Sequence, residues 1–256
     1  MKGKGNFMKQ IDSIQNNSVK AWKKLHTKKG RDKAKQYIVE GFHLVEEAIK
    51  QDAPILHLLI SEEIDLPSNF STGSMDITYI SKDVCKELSE TETTQGIFAI
   101  IEFSFVRIDF EKVSKLLLID EVQDPGNVGT MIRTADAAGF DGVILGSGTS
   151  DLYNAKTIRS TQGSIFHLPI LRGDLTEVVS NLKEKGITVY GTSLQNAKPF
   201  NEVKTSNRFA IIVGNEGKGV NSTLLSLTDE NLYIPIYGKA ESLNVGIAAG
   251  ILMYSL

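Results

Sequence analysis

Cysteine is nearly absent from this chain of 256 residues, because Cys85 is the only one. A single cysteine excludes an intramolecular disulfide, and it also excludes the paired cysteines of structural zinc sites. The histidines are scattered without the spacing of metal ligands, at His26, His43, His57 and His167. We therefore expect neither a disulfide framework nor a metal centre.

Long hydrophobic runs are missing as well. The longest lies between Ile247 and Leu256 and is interrupted by Gly250 and Ser255, so it is far shorter than the roughly 20 residues that cross a bilayer. The first residues include lysines but no apolar block behind them, which does not fit a secretory signal. The sequence therefore predicts a cytoplasmic protein that does not bind a membrane.

Positive charge is slightly outnumbered by negative charge overall, with 28 Lys or Arg against 31 Asp or Glu, but it is concentrated at the start of the chain. The formal net charge is −3, whereas residues 1–35 hold eleven Lys or Arg against Asp12 and Asp32, so this segment carries +9 and the rest carries −12. Trp22 lies among these cations, and such a combination suits an arm that follows nucleic-acid phosphates. A solvated helix and loop is the alternative. The candidate RNA-binding residues are Lys23, Lys24, Lys28, Lys29 and Arg31.

Secondary-structure patterns place a small α/β domain at residues 36–104. Its predicted strands are 37–40, 55–60, 77–80 and 96–102, and its predicted helices are 41–51 and 82–89. Residues 105–114 mix charged residues without a firm period and are predicted to form a linker. The basic arm, the small domain and the linker therefore precede a larger domain at residues 115–256.

Apolar, β-branched runs alternate with helical segments throughout residues 115–256, which favours a parallel sheet covered on both faces. The predicted strands are 116–120, 142–146, 187–191, 209–213 and 232–236. Parallel α/β sheets bind ligands at the carboxyl ends of their strands. The loops after these strands are therefore the candidate functional site.

The first of these loops contains Pro125 and Gly126, and Asn127 is predicted to cap the helix that follows. Gly126, Gly129 and Arg133 share one side of that helix, so a single cation lies beside a strip without side chains. Such a strip suits close approach of a phosphate or a sugar. A glycine groove for helix packing, with Arg133 on the surface, is the alternative that these residues alone favour.

The loop after the strand at 209–213 holds three glycines, Gly214, Gly217 and Gly219, together with Glu216. Glycines allow backbone amides to face a ligand, and the carboxylate can accept a hydrogen bond from a hydroxyl or an amine. The loop is not a Walker phosphate loop, because its Gly-Lys pair is followed by glycine and the spacing differs.

The last strand leads into a segment in which Ser242 is predicted to cap the final helix, with Leu243 and Asn244 in its first turn. Gly246 and Gly250 lie four residues apart and form a flat face where another helix can approach closely. Taken alone, this pattern is also typical of a capped helix buried against a second subunit.

The three segments resemble, in order and spacing, the three motifs of the SpoU (TrmH) family of RNA 2′-O-ribose methyltransferases, which belongs to the SPOUT class. The motifs correspond to residues 127–135, 213–220 and 234–245. Residues 37–48 are similar to the RNA-recruiting domain that precedes the catalytic domain in many members. Departures from the family pattern occur at Thr130, Thr161 and Gly246, and none removes a residue expected to carry chemistry.

The resemblance implies an α/β domain whose C-terminal chain forms a trefoil knot, S-adenosylmethionine as methyl donor, and a homodimer packed through the knot region. It implies methyl transfer to a ribose 2′-hydroxyl of RNA, with ribosomal RNA expected because of the added N-terminal domain. A tRNA substrate is one alternative. A catalytically silent RNA-binding or ribosome assembly factor is another, and it predicts the loss of a motif residue, which this sequence does not show.

The resemblance also assigns roles to individual residues. The implied catalytic residues are Arg133, Asn127, Glu216, Ser242 and Asn244. The implied cofactor-binding residues are Gly214, Ile234, Leu243 and Thr192. Arginine keeps its proton near neutral pH and is therefore a poor base, so we expect Arg133 to orient the ribose or phosphate and to stabilise negative charge. Asn127, Ser242 and Asn244 are expected to supply neutral hydrogen bonds, and Glu216 to fix its loop or an arginine.

Overall fold

The computed structural model describes residues 9–68, 70–72, 75–104 and 106–256. The chain divides into two compact units, Met1–Ser104 and Phe105–Leu256. The described strands form two sheets, one in each unit. No helix among the described residues is both long and apolar enough to span a membrane.

The first unit is an α/β structure with a five-stranded mixed sheet. Its strands are β1 (Lys9–Ile11), β2 (Gln36–Glu40), β3 (Ile55–Ser61), β4 (Ile77–Ile80) and β5 (Ile97–Glu102). Its helices are α1 (Asn17–Lys23), α2 (Lys28–Ala34), α3 (Phe42–Lys50) and α4 (Lys82–Leu88). The strand order is β1-β4-β3-β5-β2, in which β1, β4 and β3 are parallel and β5 is antiparallel to both of its neighbours.

Residues 9–35 belong to this unit, so the expectation of a separate basic arm over residues 1–35 is wrong for the described part of that segment; residues 1–8 lie outside the described residues. Strand β1 pairs in parallel with β4 and forms one edge of the sheet. Val19, Trp22 and Leu25 are buried in the core of the unit. Because these apolar residues recur every three positions, the lysines between them form the solvent face of the same helical segment.

The burial of Trp22 removes it from the candidate RNA surface. Its side chain is only 4% exposed, and its ring lies 5.4 Å from that of His57, measured between centroids. A ring in this position cannot stack on a nucleobase while the unit is folded. The aromatic ring among cations, which suggested a phosphate-binding arm, therefore belongs to a core residue, and the lysines around it are exposed.

The candidate RNA-binding cations differ in their surroundings. Lys24, Lys28 and Lys29 are exposed, and Lys23 is exposed but forms an ion pair with Glu87. Arg31 is buried, at 4% exposure. Its Nη1 donates to the carbonyl oxygens of residues 25 and 26, at 2.7 and 3.0 Å. The prediction that Arg31 contacts RNA is therefore wrong, because its guanidinium satisfies backbone acceptors inside the unit.

The second unit is built on a seven-stranded sheet, and every described pairing in it is parallel, which confirms the predicted sheet. Its strands are β6 (Lys115–Ile119), β7 (Gly142–Leu145), β8 (Ile170–Arg172), β9 (Thr188–Thr192), β10 (Lys198–Pro199), β11 (Phe209–Val213) and β12 (Glu230–Tyr233). Its helices are α5 (Pro125–Ala137), α6 (Ala155–Thr161), α7 (Leu175–Glu184), α8 (Ser222–Leu227) and α9 (Val245–Ser255). The strand order is β10-β12-β9-β11-β6-β7-β8.

Helices cover both faces of this sheet. Leu117 and Ile119 of β6 point into a core shared with α5 and α9, whereas Leu116 and Leu118 point into a core shared with α7 and α8. Alternate residues of a strand face opposite sides, so a strand between two cores must be apolar at every position. This explains the uninterrupted hydrophobic sequences of the central strands.

The segment predicted as a linker, residues 105–114, belongs to the second unit; Phe105 itself lies outside the described residues. Val113 is buried in the core on the α7 face. Arg208 holds the segment by donating to the carbonyl oxygens of Phe110 at 2.7 Å and Val113 at 3.0 Å. The segment forms neither a helix nor a strand, which explains why its sequence has no regular hydrophobic period. Hydrogen bonds from Arg208 help to hold its backbone.

Replacing Arg31 by alanine tests its structural role. The change leaves two buried carbonyl oxygens without a donor, so we expect the first unit to lose about 1–3 kcal/mol of unfolding free energy. Urea unfolding followed by the fluorescence of the buried Trp22 measures this. Lys29→Ala, in the same helix but exposed, is the matched control and should change stability by less than about 0.5 kcal/mol. Equal stability of both variants would contradict the structural role.

Candidate active site

A cleft of about 210 Å³ opens at the carboxyl ends of β9, β11 and β12, which are neighbours in the sheet. All four candidate cofactor residues lie on its wall: Thr192, Gly214, Ile234 and Leu243. Glu216 and Ser242 line it as well. Residues from three separate loops are thus brought to one concave surface, at the edge where parallel sheets bind ligands.

The wall of the cleft combines apolar and polar residues. Leu232, Ile234, Val245 and Leu252 are among its apolar residues. Its polar residues include Ser193, Asn215, Glu216, Glu241 and Ser242. Such a surface can hold a flat apolar group while neighbouring polar groups fix its orientation. The hydroxyl of Thr192 is already donated to the carbonyl oxygen of Ile212 at 3.0 Å.

Gly214 allows the loop after β11 to turn back tightly. A Cβ at this position would lie 2.2 Å from the backbone nitrogen of Val220 and 2.3 Å from the carbonyl carbon of Gly219. The loop is closed by two backbone hydrogen bonds between Asn215 and Gly219, at 2.9 and 3.1 Å. No residue other than glycine fits at 214 without moving this loop and the cleft wall.

A hydrogen-bonded chain of three side chains joins the three sequence motifs. Glu216 Oε1 accepts from Asn127 Nδ2 at 3.1 Å, and Asn127 Oδ1 accepts from Asn244 Nδ2 at 3.0 Å. Asn244 Oδ1 then accepts from the first backbone amides of α9, at 2.9 and 3.2 Å. The loop after β11, the first turn of α5 and the start of α9 are therefore fixed relative to one another.

Glu216 also accepts two backbone hydrogen bonds, from Gln123 and Asp124, both at 3.2 Å. Burial raises the pKa of the Glu216 carboxyl, but the hydrogen bonds from Asn127 and from the backbone outweigh burial and leave that pKa below its ordinary value. The carboxylate is consequently charged at neutral pH. It fixes a loop with neutral donors, which is one of the two roles expected for it.

The helix caps differ from those predicted. Asp124, not Asn127, caps α5: its Oδ1 accepts from the amides of Gly126 and Asn127 at 2.5 and 3.1 Å. Pro125 occupies the first helical position, where its missing N–H costs nothing. Asn127 therefore lies inside the helix, and its side chain is available to reach Glu216.

Ser242 does not cap α9, because Asn244 does. Ser242 lies instead in the cleft wall, and its hydroxyl makes no hydrogen bond to the described part of the chain. Ser242 is one of the five candidate catalytic residues, and its neutral hydroxyl can still both donate and accept a hydrogen bond.

Arg133 lies on the exposed side of α5, about 9 Å along the axis from Asn127. It makes no ion pair or side-chain hydrogen bond with any described residue. It is not part of the cleft wall. The glycine strip beside it is only partly open, because a Cβ on Gly129 would lie 2.5 Å from Ser160 of α6. Gly129 is thus a packing glycine, as the alternative interpretation proposed.

Sequence patterns missed two residues that stabilise the site. Asn215 Nδ2 donates to the carbonyl oxygen of Glu121 at 2.9 Å, and Gln123 Nε2 donates to that of Gly148 at 2.6 Å. Glu121 adopts a left-handed backbone conformation, with φ of 54°. Asn215 also accepts from the amides of Gly217 and Lys218, both at 3.0 Å, but its bond to Glu121 and that of Gln123 to Gly148 reach other loops and have no local sequence signal. The cap at Asp124 could have been found, since aspartate before a helix-starting proline is a common signal.

Comparison with known proteins identifies the family. Residues 114–254 match the SpoU rRNA Methylase family. This chain belongs to the SpoU rRNA methylase family. Residues 16–99 of this SpoU member match the MRM3-like substrate binding domain. The resemblance seen in the three sequence motifs is therefore confirmed. Among the described residues, no group of three or more His, Cys, Asp or Glu is arranged to hold a metal ion.

Relatives of this SpoU chain are similar over nearly its whole length. The 23S rRNA (guanosine(2553)-2′-O)-methyltransferase RlmP of Bacillus subtilis strain 168 is 52% identical over 249 residues, which cover 97% of this chain and 99% of RlmP. The AdoMet-bound rRNA methyltransferase of Sinorhizobium meliloti has a TM-score of 0.85 at 28% identity and covers 97% of each chain. The AviRb methyltransferase of Streptomyces viridochromogenes in complex with AdoMet has a TM-score of 0.83 at 26% identity, covering 94% of this chain and 97% of AviRb.

Glu216→Gln tests the carboxylate as the anchor of the three loops. The amide retains one acceptor but turns an NH₂ group toward backbone donors, so we expect a loss of about 1 kcal/mol in unfolding free energy at pH 7. The pKa of the Glu216 carboxyl is lowered in the folded protein. The difference in unfolding free energy between the variant and wild type should therefore be complete above about pH 4.3, and it should shrink as the pH falls through that folded pKa.

Urea unfolding of both proteins between pH 3 and pH 7 measures this difference. Glu241→Gln is the matched control, because Glu241 lines the same cleft but makes no hydrogen bond to a described residue. A pH-independent difference for Glu216→Gln would show that its charge is not the anchor.

Proposed function

We propose that this chain transfers a methyl group from S-adenosylmethionine to a ribose 2′-hydroxyl of ribosomal RNA. The observation that carries the proposal is the hydrogen-bonded chain Glu216, Asn127 and Asn244, at the edge of a cleft whose wall includes all four candidate cofactor residues. The near full-length relation to a 23S rRNA 2′-O-methyltransferase supports it. The loss of a motif residue, expected of a catalytically silent factor, is not seen.

The residues that line the cleft suit the chemical groups of S-adenosylmethionine. Ile234 and Leu243 offer apolar contact for an adenine ring, and the backbone at Gly214 can hydrogen-bond the nucleoside. Glu241 and Ser193, which also line the cleft, can bind the amino acid part. When bound, this group would supply a methyl on a positively charged sulfur, and a nucleophilic oxygen can take that methyl while the sulfur leaves as a neutral thioether.

The protein must align the 2′-hydroxyl, accept or release its proton and stabilise the developing negative charge. Asn127 and Asn244 hold each other and Glu216 in fixed orientation, so they supply preorganised amide groups. The unpaired hydroxyl of Ser242 can hydrogen-bond the ribose from the cleft wall. Arg133, which has no partner among the described residues, can bind the ribose or its phosphate and stabilise negative charge.

The first unit is proposed to recruit the RNA, in keeping with its match to a substrate-binding domain. Lys24, Lys28 and Lys29 are exposed and unpaired within the described chain. Lys28 and Lys29 occupy the first turn of α2, where cations are unfavourable because of the helix dipole. Binding to RNA phosphates would offset that cost. Lys23 would have to give up Glu87 to take part.

A homodimer and a trefoil knot complete the proposal. Helix α9 is apolar on all sides, and it packs on α5 through one side while Ile247 and Tyr254 remain 56% and 67% exposed. A second copy of the chain would cover this face, with Gly246 and Gly250 allowing close approach.

The knot is supported by the segment between β12 and α9, which shares the cleft wall with two other loops. A protein that modifies ribosomal RNA belongs in the cytoplasm.

The function is tested with labelled S-adenosylmethionine and two RNA substrates, a 23S rRNA transcript and a tRNA transcript. We expect label in the 23S transcript, as a 2′-O-methylated nucleotide that resists alkaline hydrolysis. The guanosine that corresponds to the target of RlmP is the first position to map. RNA binding without methyl transfer would instead support the silent factor, and labelling of tRNA alone would support the tRNA enzyme.

Arg133→Ala should lower the single-turnover rate of methyl transfer by roughly 100-fold or more, as removal of a charge-stabilising donor does, while cofactor affinity stays unchanged. Arg133→Lys keeps the charge but loses the planar fork. We expect it to remain impaired from pH 6 to pH 10. A lysine variant that regains the wild-type rate at high pH would show that this position accepts the proton.

Gly214→Ala should weaken cofactor binding, because the new Cβ would collide with the backbone of Gly219 and Val220. We expect affinity for S-adenosylmethionine to fall by at least about tenfold, measured by calorimetry and by the shift in melting temperature. Gly217→Ala is the matched control in the same loop, since a Cβ there would meet no atom closer than 3.7 Å. Equal affinity of both variants would show that the loop does not shape the cofactor site.

A further inference from the structure

The segment between β12 and α9 carries a short protruding stretch. Ile236 and Glu241 both line the cleft, whereas the four residues between them are exposed and do not. We call residues 237–240 the rim loop. Tyr237 in this loop is 93% exposed, more than any other large hydrophobic residue that the structure describes as exposed.

The rim loop combines an aromatic ring with positive charge. Lys239 lies two residues after Tyr237, and Lys218 lies in the loop after β11, which forms another part of the cleft wall. Neither ammonium group pairs with a described residue. A free aromatic ring with unpaired cations is the combination that binds single-stranded nucleic acid, because bases stack on the ring and phosphates approach the cations. The buried Trp22 cannot supply that ring.

The methyl acceptor makes such a ring useful. A ribose that enters a concave cleft must leave the regular stack of an RNA helix, and its base then loses a stacking neighbour. An exposed ring at the mouth of the cleft can replace that neighbour. Stacking does not require a particular base, because every base has a flat face.

We infer that Tyr237 stacks on the nucleobase of the nucleotide whose ribose is methylated, and that Lys239 and Lys218 contact the adjoining phosphates. The inference rests on the proposed function and adds a binding site for the base to it. Tyr237 acts in RNA binding and not in the transfer step. It leaves the cofactor pocket unchanged, since the ring is outside the cleft wall.

The test compares Tyr237→Ala and Tyr237→Phe in the full-length protein with 23S rRNA as substrate. We expect alanine to lower kcat/KM for the RNA by roughly 5- to 100-fold, the range given by loss of one stacked base. Phenylalanine should remain close to wild type, because it keeps the ring. Affinity for S-adenosylmethionine should be unchanged in both. Leu56→Ala, which removes another exposed apolar side chain, should have no effect.

Fluorescence gives a direct measurement of stacking. Tyr237→Trp places an indole on the rim loop, and the native Trp22 is buried, so RNA should quench the new indole and not the native one. The inference is overturned if RNA binds without quenching, if alanine leaves kcat/KM unchanged, or if alanine instead shifts the protein from dimer to monomer in sedimentation. If wild type fails to methylate RNA, the proposed function fails; if only the Tyr237 effects are missing, only this inference fails.

Discussion

The charge on Glu216 holds the site together. A parallel sheet brings the loops after its strands to one edge, but it does not fix how those loops lie relative to one another. Here one carboxylate accepts from two backbone amides and from Asn127, and Asn127 in turn holds the asparagine that caps α9. Because neutral donors satisfy the carboxylate, no cation is needed to neutralise it. Arg133, which makes no ion pair with a described residue, takes no part in this network.

One short helix of the first unit holds a buried arginine together with exposed lysines. Arg31 points inward and donates to two carbonyl oxygens, whereas Lys28 and Lys29, only two or three residues earlier, are exposed. A planar guanidinium with five donors can satisfy several fixed acceptors, while an ammonium on a flexible stem suits a mobile phosphate backbone. The buried position thus holds the residue that can satisfy several fixed acceptors, and the exposed positions hold lysine.

Apolar patterns predicted the fold well, and local polar patterns predicted the site less well. Strands 77–80 and 209–213 lie where the sequence placed them, because burial dictates their composition. The strand predicted at 232–236 ends earlier, at Tyr233, since Pro235 lacks the N–H that a central strand needs. The caps at Asn127 and Ser242 were wrong because Asp124 and Asn244 are equally good caps nearby. The aspartate before Pro125 signals the first cap, whereas nothing local separates Asn244 from Ser242, because the partner of Asn244 is the distant Asn127.

The strand order of the second unit has a consequence for its synthesis on the ribosome. The first strand of this sheet, β6, pairs with β11, so Lys115 meets Phe209. Strand β12 enters the sheet between β9 and β10, and α9 completes the core beside β6. The first unit can close once Ser104 has left the exit tunnel, because its contacts are internal. The second unit remains open until translation is nearly finished, since loop closure between distant segments precedes their pairing. A nascent chain would therefore carry a folded first unit well before the cleft of the second unit exists.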